Sequence, residues 1–215
     1  MELVKIVNHV RQKLSQSELI QMSEVSYDKP VSQEEIIEIE TNLSFRFPES
    51  LRSFYLNESS MLHFSWRLHN DVEDHFGEEC RYGGLDLNSP TQIKAAYEEM
   101  KEMIEDGKSE LEEEYDEGWE ALVKDWSYWI PIISFQNGDA FCIDTRNEAI
   151  VYLEHDVMDG GPTIHGTILS LNFDDLIQKW SRIGFVEIYD WTEGVDEKGI
   201  NISSPIFNQF NSLFK

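Results

Sequence analysis

Residues 130–155, IPIISFQNGDAFCIDTRNEAIVYLEH, decide the fold. Two apolar runs flank Asn137-Gly138, and this dipeptide favours a tight hairpin because both turn positions require positive φ, which Asn and Gly tolerate. A second turn near Thr145–Glu148 returns the chain as a third run, Ala149–Leu153. We therefore predict a three-stranded antiparallel meander at the centre of the molecule.

Further strands are indicated on both sides of this meander. Leu62, Phe64 and Trp66 alternate with polar residues, as in a strand that buries one face, and the sheet is predicted to begin there. Tyr82–Leu87 is a second candidate, and Thr163–Leu171 a third.

Helices are predicted wherever apolar residues recur at three- and four-residue spacing. Ser32 and Glu35 form a capping box at the start of one, Pro48 suits the first turn of another, and Gly107 is expected to break the long acidic segment in two. The apolar positions of these helices span 3–14, 36–43, 51–55, 93–104, 111–126, 173–183 and 206–213. Residues 185–203 give no prediction.

The charge of the chain limits its partners. Among 215 residues there are 42 Asp and Glu against 17 Lys and Arg, a formal net charge of −25. Such a surface repels phosphate backbones and anionic lipid, so we expect neither direct nucleic-acid nor membrane binding, while association with a basic protein is accelerated. The alternative is that the acidity only keeps the protein soluble.

The cysteines and the N-terminal residues bear on the cellular compartment in which the protein is found. Cys80 and Cys142 lie in no CxxC or Cys/His cluster, so neither a disulfide framework nor a zinc site is indicated, and a reducing cytosol fits best. The first residues contain no continuous apolar signal segment, and no apolar stretch of ~18 residues is present to cross a bilayer. We expect a cytoplasmic protein.

An acidic run is the main candidate for partner binding. Between Glu102 and Glu120, ten acids face a single base, Lys108. Like charges at i,i+3 and i,i+4 destabilise a helix by roughly 0.2–0.5 kcal/mol per pair, a cost that a basic partner would offset. The residues proposed for binding are Glu110, Glu112, Glu113, Glu114, Asp116, Glu117 and Trp119.

Two alternatives to this acidic interface stay open. The run is equally typical of a solvated helix face, and Trp119 of a core residue. If the run does not bind, the exposed face of the 130–155 meander is the next expected interface.

Catalytic chemistry is not indicated by any motif. Adjacent residues on a strand point to opposite faces, so His155 and Asp156 do not make a metal-ligand pair. Asp139 and Asp144 are ~17 Å apart on an extended strand, too far for acid/base work on one bond. We therefore expect no enzyme activity, no metal and no cofactor.

Three segments resemble, in the same order, those of the SUKH superfamily, which includes the yeast Smi/Knr cell-wall assembly regulators. They are SQEEIIEIETNLSFRFPESLRSFYL at 32–56, WIPIISFQNGDAFCIDTRNEAIVYLEHD at 129–156 and LNFDDLIQKW at 171–180. The matching positions are Ser32, Glu35, Ile39, Leu43, Phe47, Pro48, Leu51, Phe54, Asn137, Gly138, Asp139, Asp144, Tyr152, His155, Asp156, Phe173, Leu176 and Trp180.

The resemblance implies an α+β fold in which a central antiparallel sheet has helices packed on one side. It implies one domain over 1–215, with an N-terminal helix, an acidic helical insertion at about 91–126 and a C-terminal extension at about 185–215. Bacterial members resemble immunity proteins that bind and neutralise toxins, often nucleases, and fungal members resemble signalling scaffolds. A basic toxin domain is the expected partner, a regulatory scaffold is the alternative, and the oligomeric state is left open.

Overall fold

A computed structural model describes residues 2–69, 81–110, 122–155, 157, 163–188 and 191–212, with side chains left out at 22, 23, 107–110 and 209–212. These residues form helices and strands that alternate along the chain. The helices are α1 (Leu3–Leu14), α2 (Gln33–Leu43), α3 (Glu49–Asn57), α4 (Pro90–Glu110), α5 (Phe173–Arg182) and α6 (Pro205–Ser212). The strands are β1 (Ile20–Tyr27), β2 (Leu62–Leu68), β3 (Tyr82–Leu87), β4 (Trp129–Ser134), β5 (Ala140–Asp144), β6 (Ile150–Leu153), β7 (Ile168–Ser170), β8 (Val186–Glu187), β9 (Val195–Asp196) and β10 (Gly199–Ile200).

Strands β1 to β7 are hydrogen-bonded to one another in chain order, every pair antiparallel. Strand β8 pairs with β3, and β9 with β10 forms a separate ribbon. Helix α2 contacts α3 and α4, while α5 contacts α1 and α3, so helices α1 to α5 form one connected layer. The predicted α+β architecture is confirmed.

The central hairpin is confirmed, but its turn differs from the predicted one. Of the two residues Asn137 and Gly138, only Gly138 has positive φ, at 97°. The amide of Gly138 donates to the carbonyl of Phe135, and the amide of Phe135 donates to the carbonyl of Asp139. The loop therefore has three residues, Gln136 to Gly138, and a longer loop of this kind confines the left-handed conformation to its last position.

The prediction that the sheet begins at Leu62 was wrong, because β1 pairs with β2 along its whole length. The register shifts between Met22 and Glu24, which marks a β-bulge. A bulge adds one residue to a strand and reverses the alternation of its faces. Ile20 and Val25 therefore both pack toward the core despite their odd spacing, and the period-two pattern is lost from the sequence.

Two helix boundaries also differ from expectation. Helix α4 continues through Gly107 to Glu110, so the expected break is not there. Its buried side chains Ile93, Tyr97 and Met100 fix its first turns to the core, and one glycine costs a helix only about 1 kcal/mol. Pro48 is the N-cap of α3 and not a residue of its first turn.

The two halves of the sheet are buried differently. In β2, buried Leu62, Phe64, Trp66 and Leu68 alternate with more exposed residues, whereas every residue of β5 and β6 is buried. The 3₁₀ turn Trp126–Tyr128 and the loop around His165 lie against Trp129 on the second face of β4–β6. The strands of the meander are buried at every position except Ser134, so the exposed face expected as the alternative interface is not found there.

Candidate functional site

A cleft opens where the sheet divides between β3 and β4. These two strands pair only through Leu87 and Ile133. Further along β3, strand β8 takes the place of β4, with Tyr82 opposite Glu187 and Gly83 opposite Val186. The space between the diverging strands is a cavity of about 720 Å³, bounded by β2, β3, the β4–β5 turn and β8.

Glycine at position 83 allows the walls of the cleft to approach. A Cβ at Gly83 would lie 2.4 Å from the carbonyl oxygen of Phe185 and 2.7 Å from the Trp66 ring. Trp66 Nε1 donates a 2.8 Å hydrogen bond to the carbonyl of Gly184. Trp180 Nε1 donates a 2.7 Å bond to the carbonyl of Val186, so two indoles hold β8 in place.

The open rim of the cleft carries both signs of charge. His63 Nδ1 lies 3.5 Å from an Asp86 carboxylate oxygen, and Arg67 Nε donates a 3.0 Å hydrogen bond to Gln21 Oε1. The alternation of β2 and β3 directs these side chains away from the helical layer. The rim therefore offers hydrogen-bonding groups to a protein surface.

The carboxylate of Asp139 joins the β4–β5 turn to the end of β6. Asp139 is 5% exposed. It accepts hydrogen bonds from the Tyr152 hydroxyl, from Asn137 Nδ2 at 2.7 Å and from the His155 amide at 3.0 Å, and His155 Nδ1 lies 2.8 Å away. The sequence motif Asn137-Gly138-Asp139 and His155 thus meet in one network, which fixes the hairpin.

The network also sets the ionisation of its members. Burial alone would raise the pKa of Asp139, but the hydrogen bonds from Tyr152, His155 and Asn137 outweigh it and lower the pKa. Burial and the Asp139 carboxylate raise the pKa of Tyr152. Asp139 therefore stays an anion and Tyr152 stays neutral at physiological pH.

Glu187 was not among the predicted site residues. It lines the cleft, and burial, helped by the negative charge of Asp139, raises its pKa to about 7. Residues 185–203 gave no pattern because β8 is only two residues long. The cleft therefore contains a carboxyl group that changes charge near neutral pH.

Asp144 lies at the opposite end of β5 from Asp139, so the two carboxylates do not share a site. Arg146 donates to Asp144 through Nε at 2.8 Å and Nη2 at 2.6 Å, and to Asp125 through Nη1 at 2.6 Å. Burial would raise the pKa of Asp144, but these Arg146 contacts lower it. The guanidinium also lies 4.6 Å from the centre of the Tyr128 ring. Asp144 thus secures the second turn of the meander.

The remaining predicted residues divide into core and undescribed positions. Leu51, Phe54 and Trp180 are fully buried. Asp156 and the acidic positions Glu112, Glu113, Glu114, Asp116 and Glu117, with Trp119, lie outside the described residues, and Glu110 is described only as the last residue of α4. The acidic interface therefore stays a prediction.

Within the described part of the chain, no three His, Cys, Asp or Glu side chains are grouped so as to hold a metal ion. The helices described there include none that is long and apolar enough to cross a membrane.

The antiparallel sheet and the layer formed by helices α1 to α5 define an α+β domain with a cleft where the sheet divides. A family model, SMI1 / KNR4 family (SUKH-1), matches residues 30–179, more than half of the chain. The chain therefore belongs to the SUKH-1 family. A search of curated proteins gave no match. Family membership supports a protein-binding role of the immunity or Smi/Knr type.

Proposed function

We propose that this protein is a non-catalytic, cytoplasmic immunity protein that binds and neutralises a cognate toxin, with a basic nuclease domain as the expected target. The observation that carries the proposal is a formal net charge of −25 on a SUKH-1 chain. Opposite charge on two partners speeds their encounter and discriminates against wrong partners. Speed matters for an inhibitor whose target damages the cell.

The buried polar groups support recognition over catalysis. Asp139 and Asp144 are each held by several hydrogen-bond donors of the fold. Cys142 is fully buried, and burial raises the pKa of its thiol, which suppresses the nucleophilic thiolate. These groups act as structural anchors, and the surface is left for binding.

Co-expression with a toxin domain encoded by a neighbouring gene tests the function. The immunity proposal expects growth to be rescued and the two proteins to purify as a complex. Failure to rescue growth from a verified cognate toxin overturns it. The family description also covers Smi/Knr members, so the alternative is a regulatory scaffold. A scaffold would co-purify with the same partner from cells that contain no toxin gene.

The acidic run is the proposed recognition face for the basic partner. Reversing Glu112, Glu113, Asp116 and Glu117 to Lys should slow association with the toxin domain far more than it speeds dissociation, because peripheral charges act chiefly on the encounter rate. Surface plasmon resonance between ~0.05 and ~0.5 M salt measures this, since the Debye length shortens several-fold over that range.

A matched control separates the run from net charge. Glu34, Glu38, Glu99 and Glu197 are exposed acids elsewhere on the molecule, and reversing all four to Lys changes the net charge by the same amount. The proposal expects a much smaller fall in on-rate for this control. Equal on-rates for the two quadruple variants would show that the run contributes only solubility.

A further inference from the structure

Helix α1 has a charge opposite to that of the molecule. Its twelve residues, LVKIVNHVRQKL, include Lys5, Arg11 and Lys13 and no Asp or Glu, in a chain where acids outnumber bases 42 to 17. Among the described residues, Arg11 and Lys13 form no ion pair, and Lys5 pairs with Glu2 at the exposed helix start. The charges of Arg11 and Lys13 are therefore not neutralised within the described structure.

The basic side chains border a groove between α1 and α5. Lys5, His9 and Lys13 are spaced four residues apart and so lie along one face of α1 at intervals of ~6 Å. Arg182, in the last turn of α5, lies across the groove. The cavity volume is about 660 Å³, and no acidic side chain of the described residues lines it.

The floor of the groove is apolar, and the start of the helix that forms one wall is anchored by hydrogen bonds. The floor contains Ile6, which is partly exposed, and Val10, which is 6% exposed and part of the core. The start of α1 is held by Glu58, whose carboxylate accepts from the amides of Leu3 at 3.2 Å and Val4 at 2.9 Å. A preformed groove lowers the ordering cost of binding.

We propose that this groove binds an acidic, amphipathic segment of a protein partner. Apolar side chains of that segment pack on Ile6 and Val10, and its carboxylates pair with Lys13 and Arg182. An amphipathic helix docks into a groove by laying its apolar face against an apolar floor. This partner differs in charge from the basic target proposed above, and the two proposals are independent.

The overall charge of −25 opposes an acidic ligand at long range but not in contact. At physiological salt the Debye length is about 8 Å, so most distant carboxylates are screened while groove pairs at contact are not. Raising salt from very low values should therefore first strengthen binding. This behaviour is opposite to that expected for a basic partner.

Fluorescence anisotropy tests the groove with a labelled helical peptide that has Glu at every fourth position and Leu on the adjoining face. The groove variant reverses two bases, Lys13→Glu with Arg182→Glu. The matched control, Arg11→Glu with Lys124→Glu, reverses two exposed bases outside the groove and alters the net charge equally. We expect the groove variant to bind at least about tenfold more weakly than wild type and the control to stay within about twofold.

Several outcomes would overturn the proposal. The first is that wild type does not bind the peptide at ~1 mM, a concentration well above the micromolar range of ordinary specific complexes. The second is that both variants lose the same amount of affinity. The third is that wild type binds equally well a peptide with Lys in place of Glu. Tighter binding of a poly-uridine oligonucleotide would assign the groove to a polyanion instead. Sedimentation of wild type as a dimer that only the groove variant dissociates would assign it to a second copy. Circular dichroism of each variant confirms that it is folded.

Discussion

Strands β2 and β5 belong to one sheet, yet they differ in what covers them. Strand β2 buries every second residue and leaves His63, Ser65 and Arg67 on the face opposite its buried side chains, away from helices α1 to α5. Strand β5 is buried at all five positions, and on its second face the loop at His165 packs against Trp129 of the neighbouring strand β4. The difference teaches that β4–β6 contribute chiefly to the core, whereas β2 presents partly exposed polar side chains on one face.

The largest expected effect comes from placing one Lys on the same face of the sheet in each of its two halves, β1–β3 and β4–β6. The strand registers put Val151 and Ser65 on the same side of the sheet. Val151→Lys, at a position 2% exposed, should lower the free energy of unfolding by about 3–5 kcal/mol, because the ammonium is buried without a partner. Ser65→Lys should change it by less than ~0.5 kcal/mol. Urea unfolding at pH 7 measures both, and similar losses would contradict the comparison.

A smaller effect on the free energy of unfolding is expected from a change at Gly83 in β3, where the sheet divides. Gly83→Ala forces a methyl group against the Phe185 carbonyl and the Trp66 ring, so β8 must shift away from β3. We expect a loss of about 1–3 kcal/mol, the usual cost of overpacking. The control is Ser65→Ala on the neighbouring strand, with no such clash expected. An unchanged melting temperature in the Gly83 variant would show that β8 is not tightly held.

The smallest effect depends on pH and concerns Glu187 in the cleft. Its pKa in the folded protein, about 7, exceeds its ordinary value of 4.5 because of burial and then the charge of Asp139. Because its pKa is raised on folding, the protonated Glu187 is favoured in the folded protein. The resulting stability is fully present below pH 4.5 and is lost as pH rises through about 7.

Replacing Glu187 by Gln therefore removes a destabilising charge at high pH. Glu187→Gln should raise the free energy of unfolding by about 1–2 kcal/mol at pH 8, and the gain should fade toward pH 5. Chemical unfolding at the two pH values measures it. Glu197→Gln, an exposed acid nearby, should show no such gain. A gain that is the same at both pH values would contradict the assigned ionisation.

Strong periodic patterns were enough to predict much of the fold. The alternation in β2, the Asn137-Gly138 hairpin and the apolar stripe of α5 all appeared where expected, because each segment buries a face that its own residues define. The bulge in β1 and the two-residue strand β8 could not be predicted. Their conformation depends on partners distant in the chain, such as β2 and β3.

The candidate site was less predictable than the fold for the same reason. Asp139, Asp144 and His155 were singled out as motif residues, but their roles follow from cross-strand contacts. Glu187 meets Asp139 only because β8 pairs with a strand more than a hundred positions earlier. No local pattern encodes such a meeting.

The bond from Trp66 to the Gly184 carbonyl spans 118 positions of sequence. During synthesis the ribosome adds about 5–20 residues per second, so several seconds or more separate the synthesis of Trp66 from that of Gly184, which carries the acceptor. Strands β1 to β3 can pair in that interval, but one wall of the cleft is missing until Val186 has emerged. A nascent chain that ends before Val186 is therefore unable to present the finished cleft to a partner.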